Sequence, residues 1–212
     1  MAKLLVFDLD GTLIDSRQDL AAAVNFMRQS MGLEPLDRAR VVSMIGNGVN
    51  SLVRRAVADA DVDFDTALKR MKRFYADNLL ASTVLYPGVE EGLNVLKNMS
   101  LKLAVVTNKP AAATLKILEA LGVAKYFSDI IGGDGEYPLK PAPDALIALQ
   151  KKYNLSASDC WMIGDHYTDL EAGRHAGFRR IQVTYGFGEA REETPDYTVD
   201  SFSEIADLIR GF

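Results

Sequence analysis

The stretch Leu4-Leu5-Val6-Phe7-Asp8-Leu9-Asp10-Gly11-Thr12 (residues 4–12) joins an apolar run to two carboxylates. Four consecutive apolar residues, without alternation, are typical of a strand that is covered on both faces of a parallel sheet. Residues i and i+2 of an extended chain share a face and lie about 6.8 Å apart, so Asp8 and Asp10 point into one pocket until Gly11 turns the chain. The stretch therefore predicts a buried strand that ends in an acidic site.

The rest of the chain alternates strand patterns with helix patterns. Strands are predicted at residues 4–8, 101–107, 129–132, 160–165, 180–185 and 197–200. Helices are predicted at residues 89–98, 111–121, 143–153, 170–176 and 204–209. This alternation predicts an α/β fold with a doubly wound, mostly parallel, Rossmann-like sheet.

One segment interrupts the alternation, because residues 16–81 show only helix signals. Apolar side chains recur there at helical spacing, and they are Ala22, Phe26, Met27, Leu52, Val53, Ala56, Val57, Leu68, Met71 and Tyr75. Ser16, with Asp19 three residues later, resembles a capping box at the start of the first helix. A structureless loop of this length is uncommon in a compact protein. We therefore predict an all-helical cap domain at residues 16–81, inserted into a catalytic core of residues 1–15 and 82–212.

Composition narrows the class of protein. The 212 residues are 48% hydrophobic and 25% charged, which is typical of a globular protein. The net charge of −5 gives no basic field that would collect a nucleic acid. No apolar run approaches the ~18 residues that span a bilayer, and the single cysteine, Cys160, has no partner for an internal disulfide. We expect a soluble cytoplasmic protein without nucleic-acid or membrane partners, as a monomer or a homodimer.

Polar groups also follow other predicted strands, and these groups are Thr107, Asn108, Lys140, Asp165 and Asp169. Taken singly, each has an ordinary explanation: an acidic pair on the surface, a turn, or a solvated lysine. Open α/β sheets bind ligands at the carboxyl ends of their strands, so we expect these groups to converge with Asp8 and Asp10. Four carboxylates there need a balancing cation. Oxygen ligands suit Mg²⁺, which typically takes one or two protein carboxylates plus phosphate.

Four motifs carry a resemblance to a known family. They are FDLDGTLIDS (residues 7–16), VVTNKP (105–110), LKPAPD (139–144) and IGDHYTDLEAG (163–173). In this order they resemble the four motifs of the haloacid dehalogenase-like superfamily, and the resemblance covers essentially the whole chain. The helical insert after the first motif resembles the cap of the phosphoglycolate phosphatase-like branch.

The resemblance implies a role for each motif residue. Asp8 is the nucleophile that takes up the phosphoryl group as an aspartyl phosphate. Asp10 is the general acid that protonates the leaving oxygen, and later the base that activates water. Thr107 and the amide of Asn108 bind the phosphoryl group, while Lys140 neutralises charge on the nucleophile and the phosphate.

The resemblance also implies a Mg²⁺ cofactor. Its expected ligands are Asp8, the backbone carbonyl of Asp10, and Asp165, with Asp169 supporting the site from one side. Gly11 and Thr12 support it from the turn after the first strand.

Two features of the predicted cap are candidates for contact with substrate. Gly46-Asn47-Gly48 is either a turn between helices or a loop that closes over the substrate, with Asn47 as its polar side chain. Arg54 and Arg55 follow on a predicted helix, where adjacent arginines are usually solvated. Either arginine is a candidate for binding a substrate carboxylate, and Arg54 is the one named with Asn47 as a cap contact.

The expected function is a Mg²⁺-dependent phosphatase that acts on a small phosphorylated metabolite, with 2-phosphoglycolate as the first choice. Alternatives within the superfamily are a pyrophosphatase, a nucleotide or sugar phosphatase, and a phosphosugar mutase. A dehalogenase shares the nucleophilic aspartate but requires neither a second acid nor a metal, so Asp10 and Asp165 argue against it. A phosphoaspartate signalling or binding domain is the non-enzymatic alternative, although receivers of that kind are shorter and lack the helical insert.

Overall fold

A parallel sheet forms the centre of the protein, in a computed structural model that describes residues 3–212. The strands of this described part are β1 (Leu4–Phe7), β2 (Ile14–Asp15), β3 (Val84–Leu85), β4 (Lys102–Val106), β5 (Asp129–Ile131), β6 (Cys160–Gly164), β7 (Arg179–Val183) and β8 (Tyr197–Val199). The main sheet has the order β5-β4-β1-β6-β7-β8, and its neighbouring strands run parallel. The predicted doubly wound α/β fold is confirmed.

The position of the central strand β1 in the sheet explains why its sequence is apolar throughout. It lies between β4 and β6. Leu5 and Phe7 belong to the core on one face of the sheet, and Leu4 and Val6 belong to the core on the other. None of these four side chains has exposed surface, so β1 holds the residue that follows it, Asp8, at a rigid edge.

Helices cover both faces of this sheet. The helices are α1 (Arg17–Ser30), α2 (Arg38–Val42), α3 (Val49–Ala56), α4 (Phe64–Asp77), α5 (Val89–Asn98), α6 (Ala111–Ala120), α7 (Asp144–Lys152), α8 (Tyr167–Ala176) and α9 (Phe202–Arg210). Buried residues of α7 and α8 pack on one face, and those of α5, α6 and α9 on the other. Across residues 3–212, none of the helices has both the length and the apolar character needed to cross a bilayer.

Helices α1 to α4 are inserted between β2 and β3, so the predicted all-helical cap is confirmed as part of the fold. The short strands β2 and β3 pair antiparallel, with Ile14 opposite Leu85 and Asp15 opposite Val84. This ribbon carries the chain into the cap and back. The exact boundaries at residues 16 and 81 stay a prediction.

The capping box expected at Ser16 and Asp19 is wrong. Asp19 Oδ2 instead accepts hydrogen bonds from the backbone N–H groups of Ser82 and Thr83, at 3.0 and 2.9 Å, and from Thr83 Oγ1 at 2.8 Å. The Ser16 hydroxyl donates to Asp10 Oδ1 at 2.5 Å. Hydrogen bonds outside the helix therefore replace the local pattern, and both side chains connect the start of the cap to the neighbouring loops.

Phe26 also departs from its expected place on the apolar face of α1. Its side chain is 44% exposed, and its ring stacks on Phe74 of α4 with 4.3 Å between centroids. Val24 and Met27 of α1, and Met71 of α4, belong to the buried core instead.

Candidate active site

The candidate site lies where the strands of the main sheet end. Asp8 follows β1, Thr107 follows β4, and Asp165 follows β6. All three line one cavity of about 600 Å³ between the sheet edge and the cap. Further lining residues include Asp10, Asn47, Asn108, Lys109 and His166. The structure thus brings together groups that stand as many as 158 positions apart in the sequence.

Lys140 joins two carboxylates at the floor of the site. Its Nζ lies 2.9 Å from Asp8 Oδ1 and 2.7 Å from Asp169 Oδ1, and it donates to the carbonyl of Val106 at 2.6 Å. Burial alone would lower the pKa of Lys140, but the charges of Asp169 and Asp8 outweigh burial and raise it. Lys140 is therefore a buried ammonium ion that faces the Asp8 carboxylate.

Three carboxylates lie close together at the floor of the site, and one lysine cannot neutralise their combined negative charge. Asp8, Asp165 and Asp169 each offer an oxygen within 4.8 Å of the others. Burial, with the charge of Asp169 next in size, raises the pKa of Asp8 to about 6, against the opposing effect of Lys140. Burial, followed by Asp169 and Asp8, raises the pKa of Asp165 to about 8. A cation at their meeting point would remove this cost, so the cluster is suited to hold a metal ion.

The Asp165 carboxylate accepts hydrogen bonds from the turn after β1 and from the loop after β7. Thr12 Oγ1 donates to Asp165 Oδ1 at 3.3 Å. The N–H groups of Phe187 and Gly188 donate to Oδ2 at 3.0 and 2.7 Å. Gly11 has a φ of +88°, and a methyl group there would lie 2.0 Å from Asp165 Oδ2. Thr12 therefore contacts Asp165, and the missing side chain of Gly11 leaves space for the Asp165 carboxylate.

Asn108 links three segments around the site. Its Oδ1 accepts the N–H of Lys140 at 2.8 Å, and its Nδ2 donates to the carbonyls of Lys140 and Gly46, each at 2.9 Å. Thr107 Oγ1 accepts the N–H of Lys109 at 3.3 Å. The side chain of Asn108 thus orders the Lys140 loop and also contacts the cap.

Asp10 has a partner that the sequence analysis missed. Lys109 Nζ donates to both of its carboxylate oxygens at 2.9 Å, and the lysine lies 4.8 Å from the centroid of the Tyr75 ring in α4. Burial would lower the pKa of Lys109, but Asp10 and Tyr75 raise it. A signal was available, because Lys109 stands two positions after Thr107, just as Asp10 stands two positions after Asp8.

The cap loop at residues 45–48 rests on the core. Asn47 Nδ2 donates to the hydroxyl of Tyr167 at 2.7 Å, and Asn47 Oδ1 accepts from Arg55 Nη2 at 2.8 Å. Gly46 has a φ of +110°, and a methyl group there would lie 2.6 Å from His166 Nε2. Gly46-Asn47-Gly48 thus lies between α2 and α3 and contacts the core edge, and its closing over the substrate stays a prediction.

Arg54 is not brought into the site. Its guanidinium carbon lies 4.2 Å above the centroid of the Phe64 ring, within the cap, and its side chain is exposed. The neighbouring Arg55 contacts Asn47 instead, because consecutive residues of α3 point in different directions. Neither arginine lines the cavity, and Arg55 reaches its edge through Asn47.

His166 starts α8 and defines its first turn. Its Nδ1 accepts the N–H of Thr168 at 3.3 Å, while Asp169 Oδ2 accepts the N–H of His166 at 3.1 Å. This reciprocal cap explains why the helix begins at Tyr167 rather than at the predicted residue 170. Burial lowers the pKa of His166 to about 4, so the ring is neutral at pH 7.

The arrangement matches a known family over most of the chain. Residues 5–183 match the model of the haloacid dehalogenase-like hydrolases. The chain belongs to this family. The sheet edge, the paired aspartates after β1 and the inserted cap of this haloacid dehalogenase-like hydrolase are thus features of one recognised fold.

Relatives of this haloacid dehalogenase-like hydrolase have been named by their activity. A phosphoglycolate phosphatase of Chromobacterium violaceum is 38% identical, over 99% of this chain and 97% of its own. Phosphoglycolate phosphatase 1 of Pseudomonas aeruginosa is 37% identical, over 97% of this chain and 79% of its own. A crystal structure from Haemophilus somnus, described as a predicted phosphoglycolate phosphatase, superposes with a TM-score of 0.94 at 33% identity and covers 98% of each chain.

Proposed function

We propose that this protein is a phosphatase that hydrolyses a small phosphorylated metabolite through an aspartyl phosphate, with 2-phosphoglycolate as the preferred substrate. The observation that carries the proposal is the pairing of Asp8 with Lys140, at 2.9 Å, in the cavity that Asp10 also lines. The relatives named phosphoglycolate phosphatase support the choice of substrate.

Asp8 is the nucleophile in this proposal. A carboxylate oxygen of Asp8 attacks phosphorus, the bond from phosphorus to the leaving oxygen breaks, and Asp10 gives its proton to that oxygen. Asp10 then takes a proton from water, which attacks the aspartyl phosphate and restores the Asp8 carboxylate. Thr107, the amide of Asn108 and the Lys140 ammonium are the groups proposed to balance charge on the transferring phosphoryl group.

Mg²⁺ is the proposed cofactor. Asp8 and Asp165, with the backbone carbonyl of Asp10, would hold it, and Asp169 supports the arrangement through Lys140 and the His166 amide. The fit is supported by the buried oxygens of the acidic cluster, which meet within 4.8 Å. When bound, the ion supplies positive charge that stabilises the phosphoryl oxygens.

Residues 16–81 are proposed to act as a cap that opens for substrate entry and closes for turnover. The β2–β3 ribbon supports this role, because it is the covalent connection between the cap and the core at both ends of the insert. Closure excludes water from the cavity and limits the size of the substrate. Asn47 is proposed to act at this closing surface.

The test is phosphate release with and without Mg²⁺ from a panel of substrates. The panel contains 2-phosphoglycolate, pyrophosphate, nucleoside monophosphates and hexose phosphates. We expect Mg²⁺-dependent release, with kcat/KM for 2-phosphoglycolate about 100-fold above the other compounds, which equals about 2.7 kcal/mol.

Other outcomes would change the proposal in defined ways. A different preferred substrate would retain the phosphatase assignment and overturn the choice of 2-phosphoglycolate. Isomerisation of a sugar phosphate without release would point to a mutase. Absence of release from every compound would contradict the phosphatase function itself.

A further inference from the structure

We propose that Lys109 is a positioning residue that fixes the orientation of Asp10, and that Tyr75 of the cap holds Lys109 in place for this task. The proposal rests on the phosphatase function given above, because Asp10 is the group assigned there to proton transfer. It adds a residue outside the assigned set and connects the cap to the chemistry of the core.

The contact between Lys109 and Asp10 is symmetric. Lys109 Nζ lies 2.9 Å from both carboxylate oxygens, and the side chains of the lysine and the aspartate are 4% and 14% exposed. Ser16 Oγ donates to Asp10 Oδ1 at 2.5 Å. A carboxylate held at both oxygens cannot rotate freely about its side-chain torsions, so its plane is set before substrate arrives.

The two aspartates after β1 have separate lysines. Lys140 contacts Asp8, whereas Lys109 contacts Asp10. Among residues 3–212, Asp10 is the one carboxylate within ion-pair distance of Lys109. A buried ion pair is a weak source of stability, since apolar residues of similar volume often serve equally well. The location of Lys109, in the wall of the cavity beside the proton-transfer group, points to positioning.

Tyr75 brings the cap into this arrangement. Lys109 belongs to the core loop after β4, Asp10 to the loop after β1, and Tyr75 to α4 of the cap. Lys109 Nζ lies 4.8 Å from the centroid of the Tyr75 ring, within the range of a cation–π contact. Tyr75 is 8% exposed. The ring therefore covers the lysine when the cap lies on the core, and opening the cap would uncover it.

The test replaces Lys109 by Met and compares three substrates. 2-Phosphoglycolate has a poor leaving group and a carboxylate, ethyl phosphate has a poor leaving group alone, and p-nitrophenyl phosphate has a good leaving group. The ratio kcat/KM covers the steps up to departure of the leaving group, so it reports on the general acid. A misplaced acid should lower kcat/KM about 100-fold on both alkyl phosphates, with a loss about tenfold smaller on p-nitrophenyl phosphate.

A double-mutant cycle makes the assignment specific to Asp10. In the Asp10→Asn background, Lys109→Met should cause no further loss on ethyl phosphate, because the positioned group is already gone. Lys109→Arg keeps a charge that can pair with both oxygens and should recover much of the lost activity. Tyr75→Leu leaves the lysine intact and should show the same leaving-group pattern with a smaller loss. If Lys109→Met does not fold, kcat/KM on the three substrates is compared for Tyr75→Leu and Lys109→Arg instead.

The matched control is Lys125→Met, which changes a lysine that is 64% exposed and lies beside Glu90. It should not alter kcat/KM for any of the three substrates. An equal loss on all three substrates with Lys109→Met would show a merely structural role and overturn the proposal. A loss confined to 2-phosphoglycolate would show that Lys109 binds the substrate carboxylate, which also overturns it. Failure of the unmodified protein to release phosphate from any compound is a separate result, which bears on the proposed function.

Discussion

The two walls of the cavity are built differently. On the core side, Asp165 accepts hydrogen bonds from three groups, and Lys140 is fixed by two carboxylates and a carbonyl. On the cap side, the loop at residues 45–48 meets the core through the Asn47–Tyr167 and Asn108–Gly46 hydrogen bonds. Many contacts per side chain preserve a geometry, whereas a few hydrogen bonds can break and reform. The residues proposed to react or to hold Mg²⁺, Asp8, Asp10 and Asp165, belong to the core wall. The cap wall includes residues 45–48 and Tyr75, and it is proposed to control access and to cover Lys109.

Asp8→Asn is the most severe test of the core wall. Loss of the nucleophile should lower kcat by at least about 10⁴-fold, as measured by phosphate release from 2-phosphoglycolate. The pKa of Asp8 is raised to about 6, mainly by burial, so at pH 7 its ionisation favours the unfolded state. The neutral asparagine removes that cost, and the Tm measured with a chelator present should not fall.

The two readouts of this variant have different meanings. Retention of turnover within about tenfold of the unmodified protein would contradict the nucleophile assignment. A fall in Tm alongside the loss of turnover would show that Asp8 also stabilises the fold, for example through Lys140.

Gly11→Ala tests whether the core wall tolerates displacement of the Asp165 side chain. Its φ of +88° strains any side chain, and a methyl group there would lie 2.0 Å from Asp165 Oδ2. Gly122 is the matched control, because its φ is +75° and nothing lies within 4 Å of an added methyl group. Both variants should lose about 1–2 kcal/mol of folding free energy from the left-handed backbone.

Only Gly11→Ala should also lower kcat/KM, by about 100-fold, because Asp165 must move. It should raise the Mg²⁺ concentration needed for half-maximal activity as well. Measurement of urea unfolding and of kcat/KM on both variants separates the two effects. Equal activity in the two variants would show that the Asp165 position is not critical.

The core wall was also the part that the sequence predicted well. Uninterrupted apolar runs identified β1, β4 and β6, and parallel strands necessarily bring their carboxyl ends to one edge. Asp8, Thr107 and Asp165 could therefore be placed together without knowledge of any side-chain angle. The predicted roles of these residues stay predictions, because geometry alone does not test them.

The contacts of the cap wall could not be predicted in the same way. The sequence located helical segments, but the orientation of a helix depends on long-range packing, so the sequence could not distinguish Arg54 from Arg55, which contacts Asn47. Ser16 and Asp19 fitted a local motif and form tertiary hydrogen bonds instead. Lys109 had a detectable signal in its spacing from Thr107, although its Tyr75 partner had none.

Asn47→Ala tests the cap wall and should have a moderate effect. The variant loses the hydrogen bond to Tyr167 and the one from Arg55, which together amount to about 1–2 kcal/mol, or about 5- to 30-fold in KM. The effect on kcat should be smaller, because the core residues are unchanged. Steady-state kinetics with 2-phosphoglycolate measure both parameters.

Arg54→Ala is the matched comparison, because Arg54 lies in α3, the helix that follows the loop of Asn47. It removes a side chain that contacts Phe64 within the cap, so a slight loss of stability and an unchanged KM are expected. The reverse result, a raised KM for Arg54→Ala and none for Asn47→Ala, would show that the loop at residues 45–48 is not the closing surface and would restore Arg54 as a substrate contact.

The smallest effect on turnover is expected from a thiol reagent, because Cys160 lies in β6 with no exposed surface. Burial raises its pKa from 9.0 to about 12, so the thiolate fraction at pH 8 falls by about 10³-fold relative to an unfolded chain. Iodoacetamide should therefore leave the folded protein unmodified and fully active, and should label it only after unfolding in urea. Labelling at the same urea concentration that abolishes activity would show that the sheet and the core wall open together. Labelling of the native protein at pH 8 would mean that β6 opens locally, and the rigidity ascribed to the core side would then be wrong.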